Sequence, residues 1–359
     1  MKYLNALFTI DGVGNQKISR LLNHFETAER VWQVSASELV QAGLLPKLAD
    51  LIVEKRKTLD PEKLWQVLQK ENITIITIKN PAYPQLLKQI PAPPFLLYAK
   101  GNLACLQMPM LSIVGSRKFT AYGRQMTTNF AKELVRAGFC VVSGLALGID
   151  AIAHAGALDA SGKTIAVLGN SLDDINIYPR NNFDLAREII AKGGLLLSEF
   201  PVPTHANANT FPIRNRIVAG LSHGTLVTEA AEASGSLITA NFAVEFGREV
   251  FSVPGNISSP QSEGTNNLIK KGAKMTTSIN DILEELRPQM STKELKPKLE
   301  IALSEEEKVV MQVLSPQPTH IDIICKQTKL GTSTISGILV ILELKDVIKN
   351  IGGQNYIRL

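Results

Sequence analysis

Between about residues 110 and 277 the chain alternates short, uninterrupted apolar runs with stretches of helical length. The runs fall near 110–115, 139–143, 164–169, 194–198, 224–229, 248–253 and 273–277. Segments such as TIAVLG, GLLLSEF and GTLVTEA lack in-and-out alternation, the pattern of strands buried on both faces of a parallel sheet. With a helix-length segment after each, they predict an α/β fold: a doubly wound, mainly parallel Rossmann-like sheet with helices on both sides. A ligand site on such a sheet belongs outside the carboxyl ends of its strands.

The flanks have different patterns. Upstream, a helical segment runs to about Lys70, followed by a short strand from Ile73 to Ile78 and a proline-rich stretch from Pro81 to Pro94 that reads as a stiff connector. In LFTIDGVGNQKISRLLNHF the turn Asp11-Gly12-Val13-Gly14 precedes an amphipathic helix. Two readings fit: a helix-hairpin-helix whose backbone N–H groups hold a phosphate, or a small packing module. Downstream, Pro288 to Lys298 reads as a polar linker. Ser304 and Glu307 then form a capping box, and helical stretches follow near Ile321 to Thr328 and Ser333 to Leu344. IKNIGGQNYIRL reads as a hairpin turning at Gly352-Gly353. Three helices and a hairpin predict a winged helix. Its would-be recognition helix, GTSTISGILVILELK, has only Lys345 as a base, at its far end, so a protein-binding or structural role stands beside DNA reading. The expected division is a helical domain over 1–70, an extended Rossmann-like domain over 71–287, a linker over 288–301 and a winged-helix-like domain over 302–359.

Length agrees, since 359 residues leave room for two or three domains. The three cysteines, Cys105, Cys140 and Cys325, are widely spaced and in apolar surroundings, which points to free thiols rather than a disulfide framework or zinc site. No signal-peptide pattern and no apolar run of about 18 residues is present, so a soluble, cytoplasmic protein is expected. Net charge is +5, yet residues 105–287 carry 16 basic and 16 acidic residues. Attraction for a polyanion must therefore come from local clustering of arginines.

Two segments supply that clustering. In IVGSRKFTAYG an apolar run ends at Val114, placing Gly115, Ser116 and Arg117 at an expected strand-to-helix junction with Lys118 beside them. Free N–H groups and the helix dipole favour an anion there, and a guanidinium is a two-pronged phosphate donor. In FPIRNRIVAG, Arg214 and Arg216 flank Asn215 at what reads as another such turn, with Phe211 placed either to stack on a base or to fill the core. Gly144 follows a strand at the same predicted edge, and Ser234-Gly235-Ser236 opens a helix in a turn able to hold a phosphate or a base.

Other constellations point to chemistry less well. Gly162-Lys163-Thr164 looks like the end of a phosphate loop, but Ala157 stands where the first glycine is required, and the segment leads into a strand instead of opening a helix. Asp150 and His154, four apart, share a helix face without a nucleophile nearby. They read as a helix-start carboxylate and its hydrogen-bonded neighbour. Glu229 closes GTLVTEA, where it either acts on a glycosidic bond or, the preferred reading, pairs with Arg214 or Arg216. No metal spacing and no complete catalytic apparatus appears, and no cofactor is expected.

The blocks VGSRKFTAYG, VVSGLALGIDAIAH, GKTIAVLG, YPRNN, LLSEFP, FPIRNRIVAGLS, EAAEASGSLITA, VPGNI and GTNNLIKKGA succeed one another from about Tyr83 to Ala273 in the order of the DNA-processing protein A (DprA or Smf) family, which this chain closely resembles. The resemblance implies a sterile-alpha-motif-like N-terminal domain and a winged-helix C-terminal domain. It also implies a non-enzymatic protein that protects incoming single-stranded DNA and loads the RecA recombinase onto it in natural transformation, as a homodimer formed through the Rossmann-like domain. The family's GSR motif falls on Gly115, Ser116 and Arg117, and its RNR motif on Arg214, Asn215 and Arg216. One departure is Leu147, where many relatives have arginine. The GTLVTEA strand and the Gly-Ser turn are also similar to those of Rossmann-like phosphoribohydrolases, which makes a nucleotide-processing hydrolase the alternative.

Overall fold

Each apolar run becomes a strand. With β1, expected over Ile73 to Ile78, and β2, which the pattern does not announce, ahead of those seven, the strands in chain order are β1 (Thr74–Thr77), β2 (Leu96–Gly101), β3 (Met110–Val114), β4 (Cys140–Ser143), β5 (Thr164–Leu168), β6 (Leu195–Ser198), β7 (Gly224–Val227), β8 (Glu249–Ser252) and β9 (Lys274–Met275). They form one nine-stranded sheet in the order β1-β2-β6-β5-β4-β3-β7-β8-β9, antiparallel at β1, β2 and β6 and parallel from β6 to β9. The computed structural model describes residues 1–286, 304–315, 317–345 and 347–358; the expected linker over 288–301 lies outside the described residues.

Every residue of β3 through β7 is buried, which is why these strands read as continuous apolar runs. Within β3, Leu111 and Ile113 pack with Phe130 and Leu134 of the helix Ala121–Arg136 and Ala153 of the helix Ile149–Asp159. Met110 and Val114 face the opposite layer, with Ile217 and Leu221 of the helix Thr210–Leu221 and Ala240 and Ala243 of the helix Ser236–Glu245. The pleat thus sends alternate residues into two separate cores. The chain winds outward from β3 to β6, then returns to lay β7 on the other side of β3. Between β3 and β7 the connections diverge, leaving a crevice at the carboxyl edge.

The chain divides into two compact units, Met1–Lys298 and Leu299–Leu359. In the first, the N-terminal helices share one core with the sheet: Leu4, Leu7, Ile18 and Leu39 belong to the same buried cluster as Leu96, Tyr98, Ala166 and Leu196. The buried Tyr98 hydroxyl donates to Asn5 Oδ1 at 2.8 Å. The proline-rich stretch is part of this packing and not a free connector. Tyr83, Leu87 and Ile90 are buried against Ile217, Val218 and Leu221, and the Tyr83 hydroxyl donates to the Pro94 carbonyl at 2.7 Å. Prolines limit the backbone there, but the apolar residues between them decide where it goes.

The second unit is a winged helix. Helices Glu305–Val313, Ile321–Thr328 and Thr332–Leu344 enclose a core of Val310, Ile324, Ile335 and Leu339. A three-stranded sheet of β10 (Thr319–His320), β11 (Ile348–Asn350) and β12 (Asn355–Arg358) completes it, in the order β10-β12-β11. The capping box forms as expected at Ser304 and Glu307. The hairpin turns through Gly352 and Gly353, whose φ values of 95° and 57° are costly for residues with a Cβ. Glu307 also takes the Lys345 ammonium at 2.7 Å, so the base that ends the third helix is tied down inside its own unit. No helix among the described residues is long and apolar enough to cross a membrane.

Candidate nucleic-acid interface

At the crevice, the backbone N–H of Ser116, just past β3, donates to the Glu229 carbonyl just past β7 at 2.7 Å. Gly115 is required here by contact. A Cβ on it would come within 2.7 Å of the Glu229 carbonyl oxygen and of the Ile149 side chain. The segment does not open a helix as expected: the helix begins six residues later at Ala121, capped by Thr120, whose Oγ1 accepts from the Gly123 N–H at 3.2 Å. Ser116 is occupied too, because its Oγ accepts from Lys118 N at 3.0 Å and donates to Lys118 O at 2.8 Å. What this tight turn presents outward is a pair of exposed cations, Arg117 and Lys118.

Arg214 arrives from a different element. It lies inside the helix Thr210–Leu221, not on a turn, and is only 4 % exposed. Its Nη1 donates to the carbonyls of Gly144, after β4, and Val167, near the end of β5. Burial lowers its pKa to about 10, opposed by the nearby Asp150 carboxylate and reinforced by Arg117. Asp150 is raised by the same burial, opposed by Arg214 and by the N–H groups of Ala146 and Gly144, which it accepts at 3.4 and 3.0 Å. Gly144 must lack a side chain, since a Cβ would sit 2.5 Å from the Arg214 guanidinium carbon. Arg214 therefore staples two strand ends and carries its charge at a fixed point.

These groups line a cavity of about 820 Å³ at the carboxyl edge. Gly115, Ser116, Arg117, Lys118, Gly144, Phe211, Arg214, Asn215, Ser234, Gly235 and Ser236 all contribute to its wall, so the sequence-predicted residues converge except for one. That one is Arg216, whose Nη2 meets both carboxylate oxygens of Glu199 at 2.5 Å and whose Nη1 donates to the Ala92 carbonyl at 3.2 Å. Phe211 is half-buried at the mouth. Its ring lies 5.8 Å from the Arg117 guanidinium and 5.9 Å from the ring of Tyr178, which is 51 % exposed. Across the cavity, Asn215 Nδ2 donates to the Gly235 carbonyl at 3.5 Å, beside the start of the helix Ser236–Glu245, which has no acidic residue in its first turn.

The sequence profile of DNA recombination-mediator protein A matches residues 74–287, and that of the DprA winged helix domain matches 294–354. The chain belongs to the DNA recombination-mediator protein A family. It is 46 % identical over 228 residues to the DNA processing protein DprA of Bacillus subtilis, covering 62 % of this chain and 76 % of that protein. With DprA of Streptococcus pneumoniae the identity is 38 % over 280 residues, or 76 % of this chain and 94 % of the relative. The S. pneumoniae crystal structure superposes with a TM-score of 0.69 at 35 % identity, covering 79 % of this chain and 98 % of that one. DprA of Helicobacter pylori, whose structure concerns its single-stranded DNA binding mode, gives 0.54 at 34 % identity over 62 % and 99 %.

Two DprA-family positions, Glu229 and His154, play parts other than those expected. Glu229 pairs with neither arginine; its carboxylate accepts from the Thr120 N–H at 2.8 Å and the Thr120 hydroxyl at 2.6 Å. His154 bonds not to Asp150 but to Thr164 Oγ1, at 2.7 Å through Nδ1, and burial together with Arg214 depresses its pKa to about 3. Lys163 sits at the amino end of β5, away from the cavity, with Nζ on the Lys192 carbonyl at 2.7 Å. Leu147 is 44 % exposed, on the loop that also gives Ala146 to the cavity wall. Tyr178 was legible only as part of a family block. A tyrosine ahead of a proline carries no local signal of stacking.

Proposed function

We propose that this chain is a non-enzymatic recombination mediator that holds single-stranded DNA across the carboxyl edge of its sheet, protects it and delivers it to the RecA recombinase as a homodimer. The observation that carries the binding reading is the row Arg117–Phe211–Tyr178 at the mouth of a cavity that also contains Arg214. Cations beside exposed aromatic faces suit a polyanion whose bases are unpaired. Stacking on a ring tolerates any base, and phosphate contacts read none, so sequence preference is slight. The H. pylori relative's single-stranded DNA binding mode supports the same reading. RecA delivery and the homodimer rest on family membership.

The non-enzymatic reading is supported by Glu229, which is 2 % exposed and has its carboxylate occupied by Thr120. A general acid or base must reach the proton it transfers. The would-be recognition helix of the winged helix offers little to duplex DNA, because the one base in its segment, Lys345, is paired with Glu307.

The test is binding of a fluorescent oligonucleotide, single-stranded against duplex, across a salt series. Wild type should prefer the single strand, and Arg117→Ala should flatten the log–log salt dependence by about 0.7, the share of one phosphate contact. Equal binding of duplex, or an unchanged slope in the variant, would sink the proposal. Leu147→Arg should act in the opposite sense, steepening the slope by about 0.7 and tightening binding at low salt, since it adds an exposed cation beside the cavity. A slope indistinguishable from wild type would place Leu147 off the strand's path.

A further inference from the structure

A second cavity, about 1100 Å³, lies on the same unit, between residues 9–17 and the loop that follows β6. Asn207 lines both cavities, so one groove leads into the other over that residue. The helix Thr210–Leu221 is their common wall: it gives Arg214 to the first cavity, and Ile213 and Arg216 to the second. The far side of the second cavity carries Lys17 and Lys55. Its buried carboxylate, Glu199, is neutralised by Arg216, which leaves Asp11 as the opposing acidic group. The turn singled out in the sequence forms this rim. Gly12 and Gly14 are exposed, a Cβ on Gly14 would touch nothing within 4 Å, and the helix Asn15–Phe25 begins without a side-chain cap or an acidic residue in its first turn.

We propose that a single strand seated in the first cavity continues past Asn207 into this second groove, with Lys17 and Lys55 against its phosphates along the bare Gly12–Gly14 turn. The inference rests on the DNA-binding reading above and extends it to the N-terminal helices. A polyanion leaving the first cavity over Asn207 meets two further cations and an uncapped helix start; of the two carboxylates there, Glu199 is already bonded to Arg216 and Asn15, and Asp11 is the one that opposes it. Arg216 is then a positioning residue. It holds the N-terminal turn to the sheet through Glu199, since Asn15 also accepts the Phe95 N–H at 2.8 Å.

The experiment compares oligothymidines of about six and about twenty nucleotides, lengths within and beyond the span of a single small binding fold. The full-length protein is used as wild type, as Lys17→Gln/Lys55→Gln, as Lys55→Glu and as Arg117→Ala. The double lysine variant should bind the short oligomer as wild type does and lose the extra affinity of the long one. Its salt slope with the long oligomer should be shallower by about 1.4, two contacts at about 0.7 each. Lys55→Glu should act in the same direction while keeping the Lys17 bond to the Gly12 carbonyl, so that a loosened turn is not mistaken for a lost contact. Wild-type binding of the long oligomer by both lysine variants would overturn the second groove and leave the first intact. Unchanged binding of the short oligomer by Arg117→Ala would instead overturn the first-cavity reading.

Discussion

Replacing Arg214 with alanine is expected to lower the unfolding free energy by about 2 to 6 kcal/mol, at about 1 to 3 kcal/mol for each of two buried carbonyls left without a donor. The guanidinium is 4 % exposed, bridges the carbonyls of Gly144 and Val167, and opposes the desolvation of Asp150. Without it, two buried carbonyls lose their donor, and the Asp150 carboxylate loses the nearby positive charge that opposes the effect of its burial. Lysine is expected to recover part of the loss, because both carbonyls accept from the one nitrogen Nη1 and an ammonium can also donate to two acceptors, while the Nε–H bond to Asn215 Oδ1 is lost. Denaturant titration of wild type, Arg214→Ala and Arg214→Lys checks this. An alanine variant as stable as wild type would show that Arg214 is not the staple described above. Loss of DNA binding in an Arg214 variant is therefore not a clean measure of phosphate contact, whereas Arg117, exposed and lying against the Phe211 ring, offers one.

The second large effect is expected at Phe211. Phe211→Ala should weaken single-strand binding by about 1 to 3 kcal/mol, roughly five- to 150-fold, the range for a base-stacking aromatic. Stability should change far less, since the ring is half-buried at the cavity mouth and not in the core. Because the ring also lies beside the Arg117 guanidinium, Arg117→Ala and Phe211→Ala should not be additive: the double variant should lose less than the sum. Phe211→Tyr should retain most of the affinity. If Phe211→Ala binds as wild type at every salt concentration, the stacking platform is wrong even where the arginines are right.

The sheet was readable because strands buried on both faces leave long apolar runs, and its carboxyl edge followed from the fold class. The arginines were readable as residues but not as directions. FPIRNR reads as a turn, whereas it lies in a helix that starts at Thr210, with Pro212 in the first turn where proline is well tolerated. Once Arg214 and Arg216 are on a helix, two residues apart, they point to nearly opposite sides. One enters the cavity and the other meets Glu199, a carboxylate that sequence spacing gave no reason to connect to it. The same limit applies to Glu229. Its partner Thr120 lies 109 positions away and is brought near only by the pairing of β3 with β7. Local pattern specified the strands, and the contacts between their ends required the fold.

The shared core of the N-terminal helices and the sheet also governs how this chain can be divided. A fragment beginning at β1 would keep all nine strands but uncover the apolar layer that Leu4, Leu7, Ile18 and Leu39 now cover. Leu96, Tyr98 and Leu196 would then form an exposed patch on the antiparallel side of the sheet, beside the edge strand β1, a combination that favours self-association. Solubility therefore draws on these helices, and trimming the chain to begin at β1 would put it at risk before any strand binding could be measured.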